Sequence, residues 1–243
     1  MHFRSALNLT TSKADCRSPS VREGWKAFEG SWMIEIEVNH SDRLGPPRNQ
    51  GRRPTCLAFA ASDLNAFAHS TGHLSVEYLC HFAAKAIDSW QPGDGFTTDQ
   101  VFTALTRPGQ PSEEIYPYQV DTPDAPLRAP PANLLPLYSG NAREQDLTLE
   151  DVLTQVRVAR AVCIVIAVTK SLFYPQDGFV EFDPFVIPNQ FHALVAVGVG
   201  VHTQSHETHV LLRNSWGAGW GRQGHAWVSE RHLRLHMQEG FSV

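Results

Sequence analysis

The chain has 243 residues, of which 42% are hydrophobic and 19% charged, and its formal net charge is -5. These proportions are typical of a soluble globular protein and exclude a disordered or fibrous chain. The negative charge offers no broad basic surface, so we expect no nucleic-acid partner. No stretch reaches the roughly 18 apolar residues of a membrane span, and the N-terminus lacks the apolar run of a secretory signal. We therefore expect a cytoplasmic protein that does not bind membranes.

The cysteines are too few and too irregularly spaced for a disulfide scaffold, and no CxxC pair suggests zinc. The chain contains four of them: Cys16, Cys56, Cys80 and Cys163. This usage favours a reducing compartment. Cys163 lies within an apolar run and is predicted to be a buried small hydrophobe.

Two other polar clusters are assigned no specific role. His202, His206 and His209 lie in a polar stretch between two strand patterns, which favours a solvated hairpin over a metal site. A group of arginines could attract acidic substrate residues or stabilise a thiolate, but exposed charges are usually solvated. This group comprises Arg43, Arg48, Arg52 and Arg53. We predict neither a metal nor another cofactor.

The first half of the chain is predicted to be mainly helical. Residues 1–40 form a partly disordered lead-in that ends in a strand over 33–38, where apolar and charged residues alternate. A loop rich in Gly and Pro precedes a helix over 56–69, which is apolar on nearly every side and therefore buried. A second helix is predicted from Leu74 to about Ser89. A third begins at Thr97, which has capping-box spacing to Gln100.

The second half is predicted to be rich in strands. Residues 121–136 contain too many prolines for a helix interior and are predicted to be a surface linker. A helix follows from about Leu149 to Arg160, and then four strand patterns over 161–168, 192–199, 209–214 and 225–229. The predicted class is α+β, with one domain over 41–243, a helical lobe over about 50–125 and a sheet-rich lobe over about 137–243.

Cys56 is predicted to lie at the N-terminus of the first helix. Unpaired backbone N–H groups and the helix dipole favour a thiolate at that position. Hydrolysis by a thiolate also needs a base, a group that orients the base, and donors for the developing oxyanion. Taken alone, however, a cysteine in such a helix is more often a structural thiol.

Three segments resemble the motifs of the papain-like cysteine peptidases (C1-type), in the order in which that family has them. Residues 49–51 (NQG) and 56–60 (CLAFA) resemble the nucleophile motif, with the same step from Gln50 to Cys56. Residues 191–200 resemble the histidine strand, and 214–221 (NSWGAGWG) match the Asn-Ser-Trp-Gly motif. Weaker matches are 74–75, Gly95 and the Tyr-Pro-Tyr of 116–118. The resemblance implies a two-lobed papain-like fold with the active site in the cleft between a helical lobe and a sheet or barrel-like lobe.

The resemblance also implies catalytic roles. Cys56 would be the nucleophile and His192 its base, while Asn214 would orient His192. The Gln50 amide and the Cys56 backbone N–H would form the oxyanion hole.

The implied substrate-binding residues line the cleft. Gly95 would bind extended substrate backbone, and Trp216 would cover the bond between His192 and Asn214. The pocket for the side chain two residues before the cut would be built by Phe96, Gln190 and Ala193.

The chain departs from the family pattern at several positions. Arg53 stands where the family has the half-cystine of Cys-Gly-Ser-Cys, Leu57 replaces Trp, and Phe191 replaces Asn or Asp. The first 48 residues do not resemble the family's helical propeptide. The segment after Asn214 looks more like that of prokaryotic, signal-less members.

The predicted function is that of a thiol-dependent endopeptidase or isopeptidase acting on a protein or peptide substrate. A transpeptidase could use the same acyl-enzyme, and a non-catalytic module could keep the fold to bind peptides. A protease acting on a single protein target is a further alternative. The oligomeric state is not predicted.

Overall fold

The structure is a computed structural model that describes residues 33–86, 88–120, 126–140 and 146–243. Within these ranges the helices are α1 (Cys56–His69), α2 (Val76–Ala84), α3 (Thr98–Thr106), α4 (Leu149–Arg157), α5 (Lys170–Phe173) and α6 (Glu230–His236), with a 3-10 turn at Ser41–Arg43. The strands are β1 (Ile34–Asn39), β2 (Val162–Thr169), β3 (Phe179–Val180), β4 (Val186–His202), β5 (Thr208–Arg213), β6 (His225–Ser229) and β7 (Met237–Phe241). The predicted α+β class is confirmed.

The helices of the first half form where local sequence signals predict them. All residues of α1 from Cys56 to Phe67 are buried, as its apolar composition requires. The predicted capping box is present, since the Thr97 side chain and Gln100 bond to each other's backbone N–H groups. Helix α2 ends at Ala84, earlier than predicted, because its last turn tightens: the N–H of Ala86 bonds to the carbonyl of Ala83.

The strands form one open sheet in the order β3-β6-β5-β4-β2-β7, and β1 pairs with β4. Strand β4 is the longest. Its first part pairs with β2 and its last part with β1, while β5 lies along its other edge. Gly198 and Gly200 allow this crowding, because a Cβ on either would come within 2.8 Å of a β1 carbonyl oxygen.

Two hydrophobic cores lie on opposite faces of the sheet. Alternate residues of β2 contribute to each: Cys163 and Val165 pack against α1, α2 and α3, whereas Ile164 and Ile166 pack against α4 and α6. Cys163 is fully buried, as predicted. The helical layer and the sheet therefore meet along the face that carries α1.

Several predicted boundaries are wrong. Helix α4 ends at Arg157 instead of Arg160, because Ala159 adopts a left-handed conformation with φ 62°. Strand β4 starts at Val186, six residues before the predicted start at His192, since β2 pairs with it from there. Helix α6 and strand β7 were not predicted at all, and β7 pairs with β2.

The predicted hairpin after His202 is present, with β4 and β5 joined through a turn. His206 is exposed there, whereas His209 is buried. The prediction of solvated arginines is wrong for Arg48 and Arg53, which form ion pairs and are largely buried. They are buried because each has a carboxylate partner on a neighbouring helix.

The lead-in and the linker are only partly described. Residues 1–32 and 121–125 lie outside the described residues. Strand β1, at the end of the predicted lead-in, pairs with β4 in the sheet. Residues 126–136 contain no helix or strand and are mostly exposed. In the described ranges, no helix combines the length and apolar composition needed to cross a membrane.

Candidate active site

Cys56 is the first residue of α1 and is 8% exposed. The loop before it places Thr55 at the N-cap without a side-chain capping bond. The N–H groups of the first turn therefore surround the thiol, and the positive end of the helix dipole lies beside it. The backbone N–H of Ala193, on β4, also acts to lower the pKa of the Cys56 thiol.

His192 lies within β4 and is bonded to Asn214, which directly follows β5. Its Nε2 is 2.7 Å from the Asn214 Oδ1, and the ring is 1% exposed. The same oxygen accepts a hydrogen bond from the Ser215 N–H at 2.7 Å. Because this oxygen is thus oriented as an acceptor, we assign the proton to Nε2, which leaves Nδ1 as the free acceptor of the ring.

Trp216 packs against the His192 ring. Its ring centroid is 4.4 Å from that of His192, with the planes inclined by 31°. Phe173 stacks on Trp216 at 5.4 Å with a 5° inclination, and Trp220 meets it edge-on at 6.0 Å. His192 is thus buried against an aromatic cluster, and Asn214 is also buried.

Gln50 is held against the segment that carries Asn214. Its backbone N–H donates to the Ser215 carbonyl at 2.8 Å, and its Oε1 accepts from the Ser215 Oγ at 2.7 Å. Its Nε2 donates to the Arg53 carbonyl at 2.8 Å. The two segments are also joined where the Gly217 N–H donates to the Arg48 carbonyl at 3.0 Å. The oxygen and the nitrogen of the Gln50 amide are both held by hydrogen bonds, and one amide N–H has no acceptor among the described residues.

A pocket opens beside Cys56 and His192. Its lining includes residues from the helical layer and from the sheet: Pro54, Cys56, Leu57, Gly95, Phe96, Thr98, Val165, Phe191, His192, Ala193 and Glu239. Trp90 stacks on Phe96 at 5.6 Å, and its indole donates to the Gly95 carbonyl at 3.3 Å. The structure thus brings together the predicted Cys56, His192, Gly95, Phe96 and Ala193.

Gln190 does not line this pocket. Its Oε1 is buried and has no hydrogen-bond partner among the described residues. The role predicted for Gln190 stays a prediction.

Residues 35–240 match the family model described as papain family cysteine protease. The chain belongs to the papain family of cysteine proteases. It is 26% identical to mouse cathepsin K over 205 residues, covering 82% of this chain and 60% of that protein. It is 27% identical over 246 residues to a cysteine protease of Blomia tropicalis, covering 94% of this chain and 69% of that protein.

A solved structure of another cysteine protease has the same fold. Xylellain, a cysteine protease from Xylella fastidiosa, superposes with a TM-score of 0.66 at 15% identity, covering 100% of this chain and 98% of that one. At this identity the likeness concerns the fold alone. The chain spans 60% of the length of mouse cathepsin K.

Burial shifts the pKa values of Cys56 and His192 in this papain-family chain. It raises the pKa of the Cys56 thiol, against which the Ala193 N–H acts, and it lowers the pKa of His192 to about 4. Both shifts favour the uncharged forms, a thiol at Cys56 and a neutral imidazole at His192. Although both residues are described, no hydrogen bond joins Cys56 to His192.

Two residues of the site were missed in the sequence. Ser215, which binds Gln50, lies inside the Asn-Ser-Trp-Gly motif, and its hydroxyl was a usable signal. Glu239 lies in β7, opposite Val165 of β2, and so reaches the pocket from the far end of the chain. No local pattern marks it, because its place depends on a strand pairing across 74 residues.

Proposed function

We propose that this chain is a thiol-dependent peptidase that hydrolyses peptide bonds through an acyl-enzyme. The observation that supports this best is that Cys56 and His192 line one pocket, with Asn214 bonded to the ring on its far side. Nucleophile, base and orienting group are thus arranged in the order that covalent catalysis needs.

In the first half of the reaction, Nδ1 of His192 takes the proton from the Cys56 thiol as the sulfur attacks the scissile carbonyl carbon. The carbonyl oxygen becomes an oxyanion, which the Cys56 backbone N–H and the second N–H of the Gln50 amide stabilise. The C–N bond then breaks, and His192 gives its proton to the leaving amine. The product at Cys56 is a thioester.

In the second half, water attacks the thioester carbonyl while Nδ1 of His192 accepts a proton. The same two donors stabilise the second oxyanion. Collapse of this intermediate releases the carboxylic acid, and the proton returns from His192 to the Cys56 sulfur. Asn214 keeps the ring in one orientation throughout, and Trp216 keeps water from the bond that holds it.

The pocket supports a preference for an apolar side chain two residues before the cut. Phe96, Ala193 and Val165 supply apolar walls, and Gly95 leaves the substrate backbone room beside them. Endopeptidase and isopeptidase cleavage both fit, because the scissile group is an amide in each case. A cytoplasmic location, the likeness to prokaryotic members and the lobe boundaries stay predictions.

Two alternatives keep the same fold. A transpeptidase would pass the acyl group to an amine in place of water. A non-catalytic peptide-binding module is favoured by one observation, the low exposure of Cys56 and His192 at 8% and 1%. Product analysis with and without an added amine distinguishes the first alternative, because persistent hydrolysis alone excludes it.

The test of the main proposal is labelling by an epoxide probe for cysteine peptidases, read out by intact mass. Wild-type protein should gain a single adduct, and Cys56→Ala should gain none. Cys80→Ala is the matched control, because Cys80 is also a buried helical thiol. It should gain the same adduct as wild type. A folded wild-type protein without an adduct would contradict the proposal and favour the binding module.

A further inference from the structure

Arg53 and Glu77 form an ion pair beneath the loop that leads to Cys56. One guanidinium nitrogen of Arg53 lies 2.5 Å from one Glu77 oxygen, and a second lies 3.4 Å from the other. The side chains are only 6% and 1% exposed. Glu77 lies in the first turn of α2, where the helix dipole favours a carboxylate. A forked contact of this kind fixes both side chains in one orientation.

The backbone of Arg53 connects this ion pair to Gln50. The Arg53 carbonyl accepts from the Gln50 Nε2 at 2.8 Å and from the Thr55 N–H at 2.8 Å. Both lone pairs of that oxygen are therefore used, one toward Gln50 and one toward the residue before Cys56. Any movement of Arg53 would displace the Gln50 amide relative to the N-terminus of α1.

Tyr118 contacts Arg53, Gln50 and Thr55 at the same place. The Arg53 guanidinium lies 4.6 Å from the centre of its ring. The Tyr118 hydroxyl is 2.9 Å from the Gln50 carbonyl oxygen and 2.8 Å from the Thr55 hydroxyl. Arg53 and Gln50 are thus joined in two ways: directly, through the Arg53 carbonyl, and indirectly, because both contact Tyr118.

We propose that Arg53 and Glu77 are positioning residues that hold the Gln50 amide in place to stabilise the oxyanion. This inference rests on the proposed function, in which Gln50 donates to the oxyanion. The pair ties the nucleophile loop to α2 without a covalent bond, so its effect does not depend on redox conditions. Its action is indirect, since neither residue lines the pocket.

A charge-free double variant, Arg53→Met with Glu77→Leu, tests the proposal. Removing Arg53 alone would leave Glu77 buried without a partner, and that variant can fail to fold. Both charges are therefore removed together, and circular dichroism checks folding. If the pair positions Gln50, kcat for a peptide amide falls about ten- to a hundredfold while KM stays unchanged.

Alkylation of Cys56 by iodoacetamide separates positioning from a general structural role. That reaction forms no oxyanion, so its rate should be the same in the double variant and in wild type. The matched control is Arg157→Met with Glu37→Leu, which removes an exposed ion pair of 2.8 Å and should leave kcat unchanged. A parallel fall in alkylation, kcat and stability in the double variant would overturn the proposal.

A double-mutant cycle with Gln50→Ala completes the test. If Arg53 acts through Gln50, adding Gln50→Ala to the double variant costs less in kcat than adding it to wild type. Equal costs would overturn the inference and leave the proposed function intact. A wild-type protein that hydrolyses no peptide and takes no epoxide adduct would overturn both.

Discussion

Asp63 on α1 accepts a hydrogen bond from Arg213 on β5, with 2.8 Å between the carboxylate oxygen and the Nε. Asp63 lies two helical turns after Cys56, and Arg213 directly precedes Asn214. A second guanidinium, that of Arg48, lies 2.7 Å from the other Asp63 oxygen. The helix that carries the thiol is therefore joined through one carboxylate to the strand that leads to Asn214.

Replacing Asp63 with Asn should destabilise the protein strongly. The change leaves Arg213, whose side chain is 0% exposed, without a full charge partner. Breaking such a buried pair costs about 3–5 kcal/mol. Urea unfolding measures the loss, and Asp88→Asn, an exposed carboxylate, should stay within about 0.5 kcal/mol of wild type. Equal stability of the two variants would contradict this expectation.

Acidification from pH 7 to pH 5 should lower the free energy of unfolding. Burial lowers the pKa of His192 to about 4, and burial together with Arg213 lowers that of His225 to about 3. An unfolded histidine takes up its proton near pH 6.5, so the unfolded chain binds more protons throughout this window. The loss is small above about pH 6.5 and grows as the pH falls toward 4, reaching about 2 kcal/mol per histidine at pH 5.

Urea unfolding at pH 7, 6 and 5 checks this pH dependence. His225→Gln should flatten the curve, whereas His206→Gln, an exposed position, should leave its slope unchanged. Burial raises the pKa of Glu113, which acts in the opposite direction. Equal stability at pH 7 and pH 5 would show that these histidines do not remain neutral in the folded protein.

The sequence predicts most of what depends on neighbouring residues. Helix α1 follows from a continuous apolar stretch, and the start of α3 from the pair of Thr97 and Gln100. Strand β6 has the predicted bounds, because a turn precedes it and helix α6 begins directly after it. The candidate triad came from motifs whose order along the chain could be compared with a family.

The remainder depends on contacts between distant segments. Strand β7 is short and polar on one side, and only its pairing with β2 makes it a strand. Glu77 alone predicts an exposed helix residue, yet it is buried because Arg53 lies beside it. Opposite charges that pair across many residues of sequence leave no periodic pattern. The sequence therefore predicts that Arg48 and Arg53 are solvated, whereas both form largely buried ion pairs.

Removing the Trp216 ring should raise the pKa of His192. Trp216→Ala admits water to a ring that burial keeps neutral, so the pKa should rise above about 4. NMR titration of the His192 ring signals measures the change. Trp216→Phe retains a ring and should shift the pKa less, and identical titration of wild type and Trp216→Ala would mean that Trp216 does not exclude water.

Glu239 should influence which side chain the pocket accepts. Its carboxylate is the one acidic group among the lining residues, at a pocket whose walls are otherwise mainly apolar. A basic side chain two residues before the cut can place its stem on Phe96 and its charge near Glu239. An ion pair of this partly exposed kind contributes about 1 kcal/mol, which corresponds to roughly a fivefold preference. Glu239→Gln should therefore lower kcat/KM for a peptide with Arg at that position, relative to one with Leu, by about that factor.

Glu114→Gln is the control for this prediction. It removes an exposed carboxylate outside the pocket and should leave the ratio of the two kcat/KM values unchanged. An equal Arg-to-Leu ratio in wild type and Glu239→Gln would show that the substrate does not reach Glu239, and that the pocket selects by apolar contact alone.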